Sequence, residues 1–199
     1  MNRAIELPAF EHPILERLSR AHPVVPILLW GPMAALLFGF GASAYGVQAA
    51  AAFAWLGALT WTLVEYMLHR WVFHFVPKRL TWRRRWYPVH MRHHDVQEWD
   101  RLVAPPLMAV PLFFVFLTAF RLLLGAPAMY APFSGFIMGY LAYDYIHVFA
   151  HVARPHTHLG QGLRRRHLQH HFKHTTRWYG VSSPLWDFVF RTHVAGRDA

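Results

Sequence analysis

Two long stretches without charged side chains constrain this chain more than any other feature of its sequence. Residues 21–64 contain no Asp, Glu, Lys or Arg, and residues 102–143 contain only Arg121. Each stretch is about twice the ~20 residues that a helix needs to cross the hydrocarbon core of a bilayer. Each is interrupted near its middle by Gly- and Pro-rich residues, at 39–46 and 125–132. We therefore predict two transmembrane hairpins, whose four spans cover residues 24–44, 48–68, 103–123 and 131–151.

The lysines and arginines around these stretches predict how the chain is oriented. Apart from Arg121, they lie before the first span, between the second and third spans, or after the fourth, and the two short turns carry none. Loops rich in Lys and Arg stay on the cytoplasmic side, so both termini and the central loop should face the cytoplasm. We expect a multi-pass protein of a bacterial cytoplasmic membrane, or of the endoplasmic reticulum if the chain is eukaryotic.

Together these features predict an all-α integral membrane protein that forms one membrane-embedded domain over residues 1–199. Its four transmembrane helices would form two hairpins, preceded by a cytoplasmic N-terminal segment at 1–23 and followed by a cytoplasmic helical cap at 152–199. The net charge of +10 suits contact with anionic lipid headgroups. Because the arginines follow membrane sidedness, they give no support to nucleic-acid binding. The sequence contains no cysteine, which excludes disulfides and thiolate metal ligands from this chain.

Sixteen histidines are present, and ten of them fall into four groups. The groups are the segments HRWVFH, HMRHH, HVFAH and HLQHH, which lie at or beyond the ends of the second and fourth predicted spans. Imidazole is a ligand for zinc, copper, iron and nickel. Ten imidazoles are more than one ion can hold, so we predict a site for two metals. The predicted ligands are His69, His74, His90, His93, His94, His147, His151, His167, His170 and His171.

The spacing within the groups predicts how the imidazoles are directed. Residues three and four apart lie on the same face of an α-helix, so each His-x2-His-His group can aim three rings at one point. His147 and His151 are four apart and should share a face. His69 and His74 are five apart, which is not a same-face spacing. We expect this pair to straddle the end of the second span or to contact two different metals.

Two acidic residues beside these groups are candidate partners of the metal ligands. Glu65 precedes His69 by four residues, and Asp144 precedes His147 by three. A charge near the end of a span is costly and tends to be functional, and a metal-bound histidine usually donates its second N–H to a carboxylate or a carbonyl. Pairing with a nearby arginine, or a simple location at the water boundary, is the alternative. Candidate additional site residues are His156, His174 and Tyr143.

The four histidine groups occur together with further segments that resemble one family of enzymes. These segments are RLVAPP, GYLAYDYIHVFAH, HLQHHFKH and YGVSSPLWDFVFRTH, and the similar region runs from about Glu65 to His193. The chain resembles the fatty acid hydroxylase superfamily of integral-membrane dimetal enzymes, and within it the fatty acid 2-hydroxylases. The resemblance implies that the ten histidines bind two iron ions, with zinc as an occupant after purification. It also implies that O2 is used to hydroxylate the acyl chain of a lipid at carbon 2.

The resemblance bears on the supply of electrons as well. Eukaryotic members of the family often carry a fused cytochrome b5 domain, and nothing in this sequence resembles one. We therefore expect an external electron donor, either a cytochrome b5-like or a ferredoxin-type protein.

Two other functions stay open at this point. A carotenoid ring hydroxylase or a sterol-type oxidase of the same superfamily would have comparable histidine groups, although RLVAPP and YGVSSPLWDFVF favour the acyl-lipid branch. A membrane metal transporter would be expected to hold its ligands near the middle of the bilayer. The predicted ligands lie at one surface, where the second and fourth spans end, so the transporter is the more distant alternative.

Overall fold

Helices form all of the regular secondary structure among the residues that the computed structural model describes, which are 9–76, 78–79 and 90–194. A π-helical segment, Leu68–Phe73, continues α3, and a short 3-10 turn, Trp99–Arg101, precedes α5. In chain order the α-helices are α1 (Pro13–Leu18), α2 (Val24–Tyr45), α3 (Val47–Met67), α4 (Met91–Asp95), α5 (Pro106–Leu124), α6 (Tyr130–Val152), α7 (His158–Phe172) and α8 (Leu185–Val189). The prediction of an all-α fold is confirmed for this part of the chain.

Three helices in the described part of the chain are long and apolar enough to cross a membrane. They cover Val24–Tyr45, Val47–Phe73 and Trp99–Leu124, and they coincide with the first three predicted spans. The fourth predicted span, 131–151, is a helix in the structure but is not one of these three candidates. The reason is composition, because α6 carries Asp144 and two histidines among its apolar residues.

Two glycines make the turns that the sequence predicts. Gly46 separates α2 from α3 with a φ of 80°, and Gly125 ends α5 with a φ of 69°. Residues with a Cβ rarely adopt such positive values, whereas glycine does so at little cost. Each long apolar stretch is therefore divided into two helices at the interruption read from the sequence.

Helix α6 is the centre of the bundle. It packs along α3 and α2, and its C-terminal part packs on α7. The contact with α3 is close because two glycines remove side chains from it. A Cβ on Gly57 would lie 1.8 Å from the carbonyl oxygen of Pro132, and one on Gly135 would lie 1.7 Å from that of Ala54. Close packing through small residues is typical of helices in membranes.

Helix α5 contacts the bundle through aromatic side chains. Phe113 stacks on Trp30 at 4.7 Å between ring centroids, and Phe116 lies 4.9 Å from Phe136. None of the most apolar window of the Trp99–Leu124 span is buried inside the protein. Residues of this helix and of α6 line a cavity between them.

Much of the outer surface of the long helices is apolar. Trp55 is 72% exposed, Leu122 is 80% exposed and Leu123 is 81% exposed. Contiguous apolar surface of this kind is unfavourable in water, and contact with lipid removes the cost. The chain is a membrane protein by this criterion.

A network of charged side chains fastens α1 to the segment before α5. The Arg101 guanidinium lies 2.6 Å from Glu16 and 2.5 Å from Glu98, and Arg20 lies 2.8 Å from Glu16. Arg92, in α4, lies 3.0 Å from Glu98. Burial alone would raise the pKa of Glu16, but its bonds with the two arginines and a backbone N–H lower that pKa to about 2. The network anchors the chain immediately before Leu102.

Candidate metal centre

The ten predicted ligands form two clusters of five histidines each. Within each cluster, one nitrogen of every ring lies within 4.8 Å of the corresponding nitrogens of the other four. The first cluster consists of His69, His74, His90, His94 and His170. The second cluster consists of His93, His147, His151, His167 and His171. The prediction that the four groups converge, and that they suit two metals rather than one, agrees with this geometry.

Each His-x2-His-His group divides its rings between the two clusters. In the group on α4, His90 and His94 join the first cluster and His93 joins the second; His167 and His171 on α7 join the second. The prediction that each group aims three rings at one point was therefore wrong. Residues four apart stay together because they differ by only about 40° around the helix axis, and the ring between them faces the neighbouring cluster.

His69 and His74 lie in the same cluster, which disagrees with the second of the two expectations, contact with different metals. The first expectation fits the structure, because the second candidate span ends at Phe73, between the two histidines. Their ring centroids are 5.0 Å apart. The cause is the π-helical segment between them, in which the N–H of His74 donates to the carbonyl oxygen of His69 at 3.2 Å. A π-helical turn joins residues five apart, so His69 and His74 lie on the same face here, although they would not in an α-helix.

The distances between ring nitrogens fit metal coordination. In the first cluster the Nε2 atom of His90 lies 3.1 Å from that of His69 and 3.1 Å from that of His94. In the second, the Nε2 atom of His93 lies 3.0 Å from those of His147 and His151. Two ligands at about 2.1 Å from one ion and at right angles are about 3.0 Å apart. The residues present therefore fit two transition-metal ions.

Hydrogen bonds at the other ring nitrogen fix the tautomer of three ligands. The Nδ1–H of His69 donates to the carbonyl oxygen of Tyr179 at 2.5 Å, and the Nδ1–H of His170 donates to the backbone carbonyl oxygen of Arg177 at 2.6 Å. In the second cluster, the Nδ1–H of His147 donates to the carbonyl oxygen of Leu102 at 2.6 Å. With the proton held at Nδ1, the lone pair at Nε2 points into the cluster, as a metal ligand requires.

Burial keeps the imidazoles neutral. It lowers the pKa of His74 to about 3, and it lowers the pKa of His94 to about 4 although the Asp95 carboxylate opposes this shift. The pKa of His167 and that of His170 are well below the ordinary value, first because of burial and then because of the neighbouring rings. Neutral imidazole is the form that binds metal ions.

The two clusters are in direct contact. The His94 ring of the first cluster stacks on the His171 ring of the second, with centroids 4.1 Å apart and planes 10° apart. His93 and His94 are also neighbours in the chain, as are His170 and His171. Two ions held by these clusters would therefore share one buried site.

Glu65 and Asp144 are buried beside the clusters, and both accept hydrogen bonds from backbone N–H groups; Glu65 also accepts one from the Ser182 hydroxyl. Glu65 accepts from Val181 at 2.6 Å and Asp144 accepts from Ala104 at 3.0 Å. The Nδ1–H groups of the three ligating rings with a fixed tautomer donate to backbone carbonyl groups and not to these carboxylates. Each carboxylate thus holds a segment whose carbonyl group, two residues earlier, orients a ligand. The proposal that they support the metal site is kept, with the backbone as the intermediary.

Asp187 is a third buried carboxylate of this kind, and the sequence reasoning missed it. Its side chain is fully buried, and it accepts the N–H groups of Tyr179 and Gly180 at 2.9 Å each. The available signal was its place in the apolar segment PLWDFVF, because an isolated acid among apolar residues had already drawn attention to Glu65 and Asp144.

An apolar cavity opens beside the second cluster and extends between α5 and α6. It encloses about 960 Å³ including the part that is open to solvent. His90, His93, His147 and Tyr143 are part of its lining, and the Tyr143 ring stacks on His147 with planes 7° apart. Trp61, whose ring lies 5.9 Å from that of Tyr143, continues the lining together with Trp30, Phe113, Phe116, Phe133 and Phe136.

His156 and His174 join neither cluster. His156 lies on the surface, where it lines a groove on the outer side of α7. The described residues that line this groove include no carboxylate. Its cationic side chains are Arg154, Arg164, Arg165 and Lys173.

Comparison with known proteins finds a family and relatives that match most of this chain. The model of the family described as fatty acid hydroxylase matches residues 54–192. The dihydroceramide fatty acyl 2-hydroxylase FAH2 of Arabidopsis thaliana is 40% identical over 139 residues, which are 68% of this chain and 58% of that protein. The human fatty acid 2-hydroxylase is 34% identical over 142 residues, 69% of this chain and 38% of that protein.

A solved structure described as full-length scs7p, with only the hydroxylase domain visible, has a similar fold. The TM-score is 0.85 at 32% identity, covering 91% of this chain and 70% of that one. The ceramide very long chain fatty acid hydroxylase scs7 of Schizosaccharomyces pombe is 35% identical over 187 residues, 89% of this chain and 52% of that protein. The chain thus spans between about 38% and 58% of the length of the three relatives compared by sequence.

Proposed function

The chain belongs to the fatty acid hydroxylase family, and from this premise we propose that it hydroxylates the acyl chain of a lipid with O2 at two metal ions. The observation that carries the proposal is the pairing of two five-histidine clusters with an apolar cavity that begins beside them. A metal site without such a cavity would suit storage or transport of ions. A cavity that leads from the ligands into the bundle suits a long apolar substrate.

Iron at the two clusters would supply the activation of O2 that oxidation of an unactivated C–H bond requires, which zinc cannot supply because it has no redox chemistry. The chain itself orients the ligands through the carbonyl groups of Tyr179, Arg177 and Leu102. The aromatic walls of the cavity hold the acyl chain and exclude water from its reacting end. Overall, one oxygen atom enters a C–H bond, and the other is reduced to water by two electrons and two protons.

The position of the cavity favours attack near the polar end of the substrate. The acyl chain fits among the Trp and Phe side chains, while the part beside His93 and His147 receives the carbons close to the head group. Sliding the chain outward to present a middle carbon would expose apolar surface at about 25 cal/mol per Å². We therefore propose carbon 2 as the site of hydroxylation. The named substrates of the relatives suggest a fatty acid or the acyl group of a ceramide.

Expression in a host that lacks the enzyme tests this proposal. We expect 2-hydroxy acyl chains in the hydrolysed lipids, detected by mass spectrometry, and their loss without oxygen or after His170→Ala. His12→Ala is the matched control, because His12 is exposed and joins neither cluster. Mid-chain hydroxylation would refute the regiochemistry, and hydroxylated carotenoids with unchanged acyl chains would support the alternative function instead.

We also propose that α6 is a fourth transmembrane helix, so that the four spans form two hairpins in one membrane-embedded domain. The histidines and the C-terminal cap would then lie on the cytoplasmic side. The 23 residues of α6 give a length of about 35 Å, more than the ~30 Å of the hydrocarbon core. This helix packs along α2 and α3, both candidate spans. Reporters fused near Arg84 and after Ala199 should lie in the cytoplasm, and reporters near Tyr45 and Ala128 on the opposite side. Opposite locations for Arg84 and Ala199 would refute this topology.

The two electrons come, in this proposal, from a separate cytochrome b5-like or ferredoxin-type donor. The basic groove on the outer side of α7 suits an acidic protein, and α7 carries His167 and His171 on its inner side. A donor in the groove is therefore about one helix diameter, roughly 10 Å, from the second cluster. Arg164→Glu with Arg165→Glu should raise the donor concentration needed for half-maximal rate, whereas exposed Arg17→Glu should not. The same cations would also attract anionic headgroups.

A further inference from the structure

The segment between α7 and α8 is held by Asp187. Its Oδ1 atom accepts the N–H of Tyr179 at 2.9 Å, and its Oδ2 atom accepts the N–H of Gly180 at 2.9 Å. The Thr192 hydroxyl donates to Oδ1 at 2.7 Å, and the N–H of Thr192 donates to the carbonyl oxygen of Asp187 at 2.8 Å. Asp187 is thus a fully buried acceptor for three donors.

Glu65 continues the same arrangement along the segment. Its Oε1 atom accepts the N–H groups of Val181 at 2.6 Å and Ser182 at 2.8 Å, and the Ser182 hydroxyl donates to Oε2. Four consecutive backbone N–H groups, those of residues 179–182, therefore donate to two buried carboxylates. Each of these N–H groups therefore has a buried acceptor, and the backbone of the segment is held at four consecutive positions.

The carbonyl groups of the same segment face the first cluster. That of Tyr179 accepts from His69, and that of Arg177 accepts from His170. Two of the five rings in the first cluster therefore take their orientation from this segment. In the second cluster, the recorded carbonyl contact is that of Leu102 with His147, which lies on a different part of the chain.

The segment needs this support because its backbone is unusual. Trp178 has a φ of 55°, a region that side chains with a Cβ disfavour. A Cβ on Gly180 would lie 2.1 Å from the carbonyl oxygen of Ser183 and 2.9 Å from Oδ2 of Asp187. Without its acceptor, the segment would relax away from this conformation and its carbonyl groups would move.

We propose that Asp187 is a positioning residue for one metal site only. By fixing the N–H groups of Tyr179 and Gly180, it places the two carbonyl groups that orient His69 and His170, and so sets the metal affinity of the first cluster. This inference rests on the proposed metal binding by that cluster. The segment YGVSSPLWDFVF would then serve to position ligands of the first cluster.

Asp187→Asn is the variant that tests the proposal, because it keeps the volume but turns one acceptor into a donor facing a backbone N–H. Protein purified in mild detergent is loaded with Zn²⁺, dialysed against graded chelator, and assayed by elemental analysis. Loss of an outer partner typically weakens metal retention by about 10–100-fold. We expect the wild type to hold two ions and Asp187→Asn to fall to one over that range of chelator.

Two further variants show which site is emptied. In a His171→Ala background, which disables the second cluster, Asp187→Asn should remove the remaining ion. Asp144→Asn, an equally buried carboxylate that holds the Leu102 side, should weaken the other site and leave the first intact. If Asp187→Asn and Asp144→Asn empty the same site, or if Asp187→Asn keeps two ions at wild-type affinity, the role of Asp187 is refuted.

A milder pair keeps the test valid if Asp187→Asn does not fold. Thr192→Val removes the hydroxyl that donates to Asp187, and Thr192→Ser retains it. We expect weaker retention at the first cluster for Thr192→Val and recovery for Thr192→Ser. Equal retention in both would count against the proposal. Fewer than two ions in the wild type itself would instead refute the proposed metal sites.

Discussion

The two histidine clusters are near-equivalents that the chain builds in opposite ways. The first takes the outer pair of the α4 group and the middle ring of the α7 group, and the second takes the reverse. Each holds five imidazoles, and one stacked pair, His94 on His171, joins them. The two His-x2-His-His groups therefore give three rings to each cluster, with the outer pair and the middle ring exchanged between them.

The supports of the clusters differ more than their ligands do. The first depends on carbonyl groups of the C-terminal segment 177–182, which buried carboxylates hold. The second depends on the carbonyl group of Leu102, which is placed between the Asp144–Ala104 bond and the charged network around Arg101. Both clusters consist of five imidazoles, but substitutions at different supporting residues should weaken metal binding at each.

The largest separation of the two sites should come from substituting adjacent ligands. His170→Ala removes a ligand of the first cluster and His171→Ala removes one of the second. We expect each variant to lose one of two ions, as measured by elemental analysis of detergent-purified protein. Hydroxylation should fall by more than about 100-fold in both, since an outer partner alone contributes about 10–100-fold.

The combination of these variants checks the assignment. The double variant should hold no ion, whereas His12→Ala should hold two. Loss of both ions from either single variant would mean that the clusters are not separable sites.

A smaller effect is expected from Asp144→Asn. The substitution keeps the size of the side chain but removes the charge that accepts the N–H of Ala104, so the Leu102 carbonyl that orients His147 is less well placed. We expect retention of Zn²⁺ at the second cluster to weaken by about 10–100-fold, with the first cluster unchanged in chelator titrations. Wild-type retention and turnover together would reduce Asp144 to a residue at the membrane boundary.

The smallest effect concerns the charged network next to Leu102. The pKa of Glu16 is about 2 against an ordinary 4.5, so its stabilisation is present above pH 4.5 and is lost as the pH falls from there towards 2. Glu16→Gln should lower the melting temperature at pH 7 by about 2–4 °C, the shift that ~1 kcal/mol gives for a chain of this size. The difference from the wild type should shrink at pH 3. A difference that persists unchanged at pH 3 would assign the stabilisation to packing.

The helices and the histidines that converge could be predicted from the sequence because both depend on local patterns. Uncharged stretches broken by glycine specify two helices with a turn, as at Gly46. Histidines four apart, such as His147 and His151, share a helix face and do share a cluster. These relations follow from helix geometry, which the chain carries within a few residues.

The division of ligands between clusters could not be predicted, because it depends on which helices meet. Helix spacing pairs His94 with His90 and separates them from His93, but which other histidines complete each cluster depends on the helices that surround them. The π-helical segment was missed for a related reason, since its five-residue spacing is unfavourable unless the surrounding structure requires it.

The role of Glu65 depends on Val181, which follows it by more than 100 residues. Asp187 holds nearby residues, but the carbonyl group that they position accepts from His69, which also lies more than 100 residues away. Sequence spacing says nothing about contacts over such distances.

Helix α7 couples the two sites mechanically, because His170 and His171 are neighbours in the chain. Their Cα atoms are about 3.8 Å apart whatever the surroundings do, and their side chains leave the helix about 100° apart around its axis. The same helix also carries His167 of the second cluster, so a twist of α7 would displace one ligand of the first cluster and two of the second together. A movement of this one helix would therefore change the geometry of both clusters at once.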